Sequence, residues 1–191
     1  MTFGQWQKIL LLAVWQFYWE VLQTGGFKLD SIDLIAVEMI KYFKNDVRRI
    51  NHALKVYSFA RLIGKAEGLD SKKQYVLEAA ALLHDIGIKV CEQKYNSTAG
   101  HLQEIEGPEV AKEILLPMNI EKDTLERILF LIGNHHSYSK IDDIDFQILV
   151  EADFLVNIYE DSVEIETIKS IKHKYFKTTM GLFLIEKMFE V

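Results

Sequence analysis

Apolar residues recur every three or four positions over most of this sequence, and no stretch stands out with the two-residue alternation of a strand. Only two prolines and ten glycines occur in 191 residues, which leaves room for long uninterrupted helices. The pattern therefore predicts an all-α domain. The predicted helical segments are 34–43, 47–63, 71–84, 125–132 and 146–159, with further helix over the tail from 163 to 191.

Several of these segments have recognisable ends. Asp30 precedes one apolar stripe and Asp70 or Ser71 precedes another, and each of these side chains can accept hydrogen bonds from the first free amides of a helix. Pro108 is expected to open a helix, since a proline in the first turn sacrifices no hydrogen bond. Before it the helical period breaks up, and residues 95–100 are predicted to form a loop.

The most apolar part of the N-terminal region is the segment 9–22, ILLLAVWQFYWEVL. A helix here is apolar on nearly all sides, so we expect it to pack against the domain or against a second copy, in a homodimer. Anchoring at a membrane surface is the alternative, although the flanks lack the usual Lys/Arg face. A membrane span needs ~20 apolar residues, more than this segment has. The chain thus divides into an N-terminal apolar helix within residues 1–28 and a main domain over residues 29–191.

Charge and cysteine content narrow the classes of function. The formal net charge of −6 argues against binding of a nucleic-acid polymer, which needs a broad basic face. A small phosphorylated ligand remains compatible with this charge, because it needs only a few local cations. Cys91 is the only cysteine, which excludes an internal disulfide framework and a zinc site built from several thiolates. We expect a cytoplasmic protein.

A candidate site lies where the apolar run AAALL ends in adjacent His84 and Asp85. Charged side chains are rarely buried unless they are paired or bound to a metal. An imidazole beside a carboxylate suits a divalent transition metal such as Mn, Fe, Co, Ni or Zn. For this dipeptide alone, the alternative is a capping aspartate next to a core histidine whose hydrogen bonds are satisfied.

Three further segments place similar side chains within or at the end of an apolar helix. They carry His52, the pair His135-His136, and Asp153. An unpaired buried carboxylate becomes protonated, so Asp153 needs a positive partner. That partner is either a metal shared with the other segments or an arginine of another helix. A common metal centre accounts for all of these positions at once.

The order His52, His84-Asp85, Asp153 resembles the H…HD…D pattern of the HD-domain superfamily of metal-dependent phosphohydrolases. The likeness covers roughly residues 41–157 and is closest to an uncharacterised bacterial branch. It is carried by DVRRINHALKV, LLHDIGI, QEIEGPEVAKEIL, NHHSY and ILVEADFLVN. The resemblance implies an HD-type helical bundle in which these four residues bind a divalent metal.

The resemblance leaves the number of metal ions, one or two, open. His135 and His136 are similar to the extra histidines of two-metal members such as the HD-GYP phosphodiesterases, in which the HD aspartate bridges both ions. These members take one more histidine from the intervening loop, four residues before a glycine. His101 is the candidate here, but it lies six residues before Gly107, and Gln103 occupies the expected position.

The implied activity is hydrolysis of a small phosphorylated metabolite, expected to be a nucleotide. A divalent ion neutralises phosphate oxygens and lowers the pKa of bound water. Asp85 is expected to act as ligand and proton acceptor, and Asn157 to support Asp153, one turn earlier, or water on the metal. Arg49, three residues before His52, is the preferred phosphate contact, since i and i+3 share a helix face. Other candidates for holding phosphate are Arg48, Lys55 and Lys89.

The sequence lacks the motifs that are characteristic of three subfamilies of the HD-domain superfamily. Ser-Tyr-Ser-Lys follows His136 where cyclic di-GMP hydrolases have Gly-Tyr-Pro. Gly87-Ile88 replaces the acidic pair of (p)ppGpp hydrolases, and Ile88 replaces the acidic residue of deoxynucleotide 5′-phosphatases. The substrate, and whether it is a monoester or a diester, is therefore not defined. The rival function is a nucleotide-sensing or interaction module that keeps the helical scaffold without turnover.

Overall fold

A computed structural model describes residues 29–191, which form nine α-helices and two short 3-10 turns and contain no strand. The all-α prediction is confirmed, whereas the predicted N-terminal helix lies outside the described residues. Within residues 29–191 no helix has the length and apolar character needed to cross a bilayer. The helices are α1 Ser31–Phe43, α2 Val47–Ala66, α3 Ser71–Leu83, α4 Ile88–Tyr95, α5 Gly100–Leu115, α6 Lys122–Ile132, α7 Ile144–Glu160, α8 Ile165–Tyr175 and α9 Thr179–Phe189.

Helix α3 lies at the centre of the bundle. Its residues 76–83 are all buried, and it packs against α1, α2, α6 and α7. A helix that is apolar on all sides is stable only when neighbours surround it, so the run of alanines and leucines dictates this central position. The short alanine side chains also let adjacent helices approach closely. The end of α3 is consequently the place where the other helices converge.

The predicted caps begin two of the helices. The Asp30 carboxylate accepts hydrogen bonds from the Ile32 and Asp33 amides at 2.9 Å, and the Asp33 side chain accepts from the Asp30 amide. Asp70 is the cap of α3 and accepts from the amides of residues 72 and 73. Each such cap stabilises its helix by about 1 kcal/mol.

The expectation that Pro108 opens a helix is wrong, because α5 begins at Gly100 and contains the proline. The first half of α5 packs against the loop after α3, where a side chain at Gly87 would stand 2.7 Å from the Gly107 backbone nitrogen. This glycine-to-glycine contact holds the segment before Pro108 in place. Tertiary packing thus sustains a helix through a residue that normally interrupts one.

Candidate metal centre

Four helices deliver the polar side chains that the sequence singled out. His52 lies on α2, His84 and Asp85 follow directly after α3, and Asp153 lies in the middle of α7. The pair His135-His136 follows the end of α6. Because α2, α6 and α7 all pack against α3, their polar positions meet at its C-terminal end.

His52, His84 and Asp153 form the first cluster, called here the inner group. The Oδ1 atom of Asp153 lies 3.2 Å from His52 Nε2 and 3.5 Å from His84 Nε2, and the two Nε2 atoms are 3.2 Å apart. The two histidines are buried, and the Asp153 side chain is only 13% exposed. Three potential ligand atoms therefore surround one point in the core.

Asp85, His135 and His136 form the second cluster, called here the outer group. The Asp85 Oδ1 atom lies 3.5 Å from His135 Nε2. Its other oxygen, Oδ2, lies 3.6 Å from the Nε2 atoms of both His52 and His84. The Asp85 carboxylate thus stands between the two groups, with one oxygen toward each.

Three of the imidazole rings are oriented by hydrogen bonds at Nδ1, the ring nitrogen that faces away from the centre. Each ring uses Nδ1 for a contact away from the centre, which directs Nε2 inward. Donation from Nδ1 leaves a lone pair on Nε2, which is the form of histidine that binds metal. The contacts join His52 to the Glu160 carboxylate (3.1 Å), His84 to the Ala81 carbonyl (2.9 Å) and His135 to the Ile132 carbonyl (2.7 Å).

The two aspartates determine the charge of the centre. Burial opposes protonation of His84, but Asp85 and Asp153 outweigh it and raise the pKa of His84 to about 9. Burial likewise disfavours ionised carboxylates, yet the surrounding imidazoles hold the pKa values of Asp85 and Asp153 far below their usual range. Burial and the neighbouring His135 lower the pKa of His136 to about 4. In the metal-free protein the ionised carboxylates are therefore balanced by protons on His84 and His52, whereas His136 is neutral, and a bound cation would take the place of those protons.

The clusters pass a test of fit for a divalent metal. Five buried side-chain atoms of the described residues have no hydrogen-bond partner, and three of them belong to the two groups: Asp153 Oδ1, His135 Nε2 and His136 Nε2. Buried polar atoms in native proteins are nearly always paired, so three unpaired atoms within two neighbouring groups of potential ligands need a common explanation. Imidazole nitrogen with carboxylate oxygen is the donor set of Mn, Fe, Co, Ni and Zn sites.

His101 is the one proposed metal ligand that the structure does not bring to the centre. It is exposed on α5, whereas the adjacent Gly100 packs so closely on the His136 ring that a side chain there would stand 2.5 Å from it. Gln103, at the position where two-metal members have histidine, is buried and donates to the Thr98 carbonyl at 2.8 Å.

Arg48 and Arg49, two of the candidates for holding phosphate, line a cavity of about 310 Å³ that also contacts His52 and Asp85 of the candidate centre. Arg49 forms two hydrogen bonds with Glu92, of 2.6 and 3.0 Å, and a salt bridge of 2.8 Å with Asp46. Arg48 is exposed and has no carboxylate partner within residues 29–191. The cavity is lined by Asp46, Arg48, Arg49, His52, Asp85, Ile88, Thr98, Asn157, Glu160 and Asp161.

The two lysines proposed to hold phosphate do not line this cavity. Lys55 forms a 2.8 Å salt bridge with Glu160, the carboxylate that also contacts His52. Lys89 donates to the Tyr42 carbonyl at 2.9 Å and lies over the Tyr42 ring.

Two carboxylates that support the centre were missed by the sequence reasoning. Glu160 lies two helical turns after Asp153 on α7, so its spacing on one helix face could have identified it. Glu104 accepts hydrogen bonds from the His136 amide (3.1 Å) and the Ser137 hydroxyl (3.0 Å). Glu104 and His136 are 32 residues apart in sequence, so no local sequence pattern predicts this hydrogen bond.

Comparison with known proteins gives a family but no individual relative. A model of the HD domain matches residues 49–164, a region that is more than half of the chain and contains both groups. Neither the curated proteins nor the solved structures include a significant match. HD domains are generally metal-dependent phosphohydrolases. With its ligand-type residues inside the matched region, the chain belongs to the HD-domain family.

Proposed function

We propose that this protein is a metal-dependent phosphohydrolase that acts on a small phosphorylated metabolite, specifically a nucleotide. The observation that carries the proposal is the position of Asp85, with one oxygen toward the inner group and the other toward the outer group. A carboxylate shared in this way is typical of centres that hold two ions side by side against a phosphate.

The residues of the two groups would hold the metal. His52, His84, Asp85 and Asp153 would bind one ion, and Asp85 with His135 and His136 would bind a second. When bound, a divalent ion neutralises phosphate oxygens and lowers the pKa of coordinated water. Asn157, which lines the cavity one turn after Asp153, would support the Asp153 carboxylate or a nearby water.

The chain's own residues would complete the reaction. Water adds to phosphorus as the P–O ester bond breaks, the proton lost by the water is passed to the leaving oxygen, and the products are an alcohol and phosphate, or a phosphate monoester when the substrate is a diester. We assign Asp85 as the proton acceptor, because it lines the cavity and its side chain is 21% exposed, against 13% for Asp153. Arg48 is the preferred contact for phosphate oxygens, since Arg49 is already neutralised by Glu92 and Asp46.

The proposal is tested by elemental analysis together with a phosphoester panel. The purified protein should contain Mn, Fe, Co, Ni or Zn and should hydrolyse at least one nucleotide when supplied with Mn, Co or Ni. Asp85→Asn should abolish turnover, whereas Asp161→Asn, a change in the same cavity but outside both groups, should not. Absence of metal together with absence of hydrolysis would contradict the proposal. A nucleotide that stays bound and intact on the metal-loaded protein would instead indicate the sensing module.

A further inference from the structure

A second and larger depression, called here the lysine groove, also reaches the outer group. Its volume is about 650 Å³, and His136 is the residue that it shares with the metal centre. A groove of this size accommodates a ligand as large as a nucleotide. It is lined by His136, Ser137, Tyr138, Ser139, Ile141, Gln147, Lys174, Tyr175 and Lys177.

The lysine groove differs from the smaller cavity in charge. Its described lining contains two lysines and no aspartate or glutamate, whereas the smaller cavity is lined by four carboxylates and two arginines. Although the chain as a whole carries a net charge of −6, the two lysines and the absence of Asp and Glu make this lining locally positive. Anionic ligands are attracted to such a local concentration of positive charge.

The positive charges of the groove are not neutralised by neighbouring carboxylates. Within residues 29–191, neither Lys174 nor Lys177 forms a salt bridge: Lys174 lies over the Tyr175 ring at 4.9 Å, and Lys177 donates to a backbone carbonyl at 3.2 Å. Other lysines of α8 are paired, as Lys169 is with Glu166 at 2.7 Å. The two groove lysines are therefore free to bind an anion.

A buried carboxylate fixes the backbone that carries Lys177. Glu151 is fully buried on α7 and accepts hydrogen bonds from the amides of Lys177 (2.6 Å) and Thr178 (2.9 Å) and from the Thr178 hydroxyl. Gln147 joins the same Glu151 to the Tyr175 carbonyl, with 2.7 Å to each. Because Asp153 is on the same helix, the lysine segment is held rigidly relative to the metal centre.

Aromatic rings line the lysine groove together with its two lysines and His136. The centroids of Tyr138 and Tyr175 are 4.7 Å apart, and Phe154 stacks on Tyr175 at 4.9 Å. Tyr138 lies two residues after His136, and Phe154 directly follows Asp153. A ligand that extends from the outer group toward the lysines would pass along these rings.

We propose that the lysine groove binds the part of the substrate beyond the phosphate to be hydrolysed, and that this part carries a second phosphate group. This assignment rests on the proposed phosphohydrolase function and names its substrate class: small molecules with two separated phosphates. Lys174 and Lys177 contact the distal phosphate, and Tyr138 and Tyr175 contact the organic part that joins the two.

Non-hydrolysable phosphonates test the groove without any need for turnover. Alkane-α,ω-diphosphonates with three to six carbons are compared by calorimetry with monophosphonates of equal length, using the full chain supplied with Mn²⁺. At least one diphosphonate should bind about tenfold tighter than its monophosphonate, as expected for one added charged hydrogen-bonding group. In the Lys174→Gln/Lys177→Gln variant that advantage should disappear, while monophosphonate affinity stays unchanged.

A matched control removes the same charge elsewhere. Lys112→Gln/Lys122→Gln changes two lysines of α5 and α6 whose side chains are 45% and 84% exposed, which pair with Glu109 and Glu126 and lie outside the groove. This control should keep the diphosphonate advantage. Equal binding of every diphosphonate by wild type and groove variant would overturn the proposal, even if the protein hydrolyses phosphoesters. A groove-dependent advantage in a protein without hydrolytic activity would uphold the anion site and refute the enzymatic function instead.

Discussion

The Asp153 carboxylate illustrates, at the scale of single residues, why the centre needs a cation. It lies among apolar neighbours on α7, and its Oδ1 atom is buried near two imidazole nitrogens without a hydrogen bond. A buried carboxylate without a positive partner is protonated or destabilising. In the metal-free protein the imidazoles meet this demand by binding protons, and Asp85 together with Asp153 raises the pKa of His84 against the opposing effect of burial.

Asp153→Ala is expected to lose bound metal and activity together. The variant removes one ligand atom of the inner group, while the apolar surroundings on α7 tolerate alanine. Its metal-free form should lose less stability than its metal-loaded form, since part of the folded protein's stability comes from ligation. Metal stoichiometry and thermal unfolding, each with and without chelator, measure these effects. Full metal occupancy in the variant would refute the ligand assignment.

Glu160→Gln is expected to weaken metal binding without unfolding the protein. Glu160 orients the His52 ring through a 3.1 Å contact with Nδ1, and loss of such a partner typically lowers metal affinity about 10- to 100-fold. Competition with a chromogenic chelator measures the affinity. Lys55→Met is the matched control, since it removes the other partner of Glu160 and leaves the His52 contact in place. Equal affinities in the two variants would contradict the positioning role.

At the scale of elements, sequence patterns correctly predicted those features of the helices that depend on interactions between residues close in sequence. The apolar period and the caps at Asp30 and Asp70 predicted helices that the structure contains, because both signals act within a few residues. The prediction that Pro108 opens a helix was wrong, because packing of α5 against the loop after α3 overrides the preference of proline for the first turn of a helix. The pairing of Arg49 with Glu92 joins residues 43 positions apart, and no helical period encodes a contact of that range. Candidate ligands were easier to find, since polar residues inside apolar helices are conspicuous.

Arg127→Ala is expected to destabilise the junction of α6 and α7. Arg127 makes two hydrogen bonds to Asp145, of 3.0 and 2.6 Å, and two to Asp142, both of 2.8 Å. Asp145 is only 2% exposed, so loss of the arginine leaves a buried charge unpaired, at a cost of about 3–5 kcal/mol. Urea unfolding measures the change in the free energy of unfolding.

Two further variants distinguish the contribution of the buried Arg127–Asp145 pair to stability from that of the exposed Arg127–Asp142 pair. Asp142→Asn should destabilise by no more than about 1 kcal/mol, because the Asp142 side chain is 48% exposed and the pair is screened by water. Adding Asp145→Asn to Arg127→Ala should restore part of the lost stability, because it removes the unpaired charge. A fully additive double variant would show that the buried charge is not the cause.

At the scale of the whole molecule, the candidate metal centre joins four helices that are distant in sequence. Residues 52 and 153 are about a hundred positions apart, yet their side chains meet at the end of α3. Ligands that come from separate helices make metal affinity part of the folding free energy. Events at the centre should therefore be visible in the stability of the entire domain.

Residues 1–28 are expected to determine the oligomeric state. A terminal helix that is apolar on both sides needs two covering surfaces, which the domain and a second copy would supply. Light scattering of the full chain should give a dimer, and a variant that begins at Leu29 should be a monomer. A monomer in both cases would exclude this role for the N-terminal segment.

Thermal stability should depend on pH in opposite ways with and without metal. The pKa of His84 rises from 6.5 to about 9 on folding of the metal-free chain, so its proton stabilises the fold fully below pH 6.5. That contribution is lost as the pH rises through about 9, and the raised pKa of His52 acts in the same direction. The melting temperature of the chelated protein should therefore fall between pH 6.5 and 9. With metal present, the ion competes with these protons, so binding tightens and stability is retained or rises over the same range. Calorimetric scans in chelator and in excess Mn²⁺ compare the two slopes, and parallel curves would show that the metal does not occupy the place of the protons.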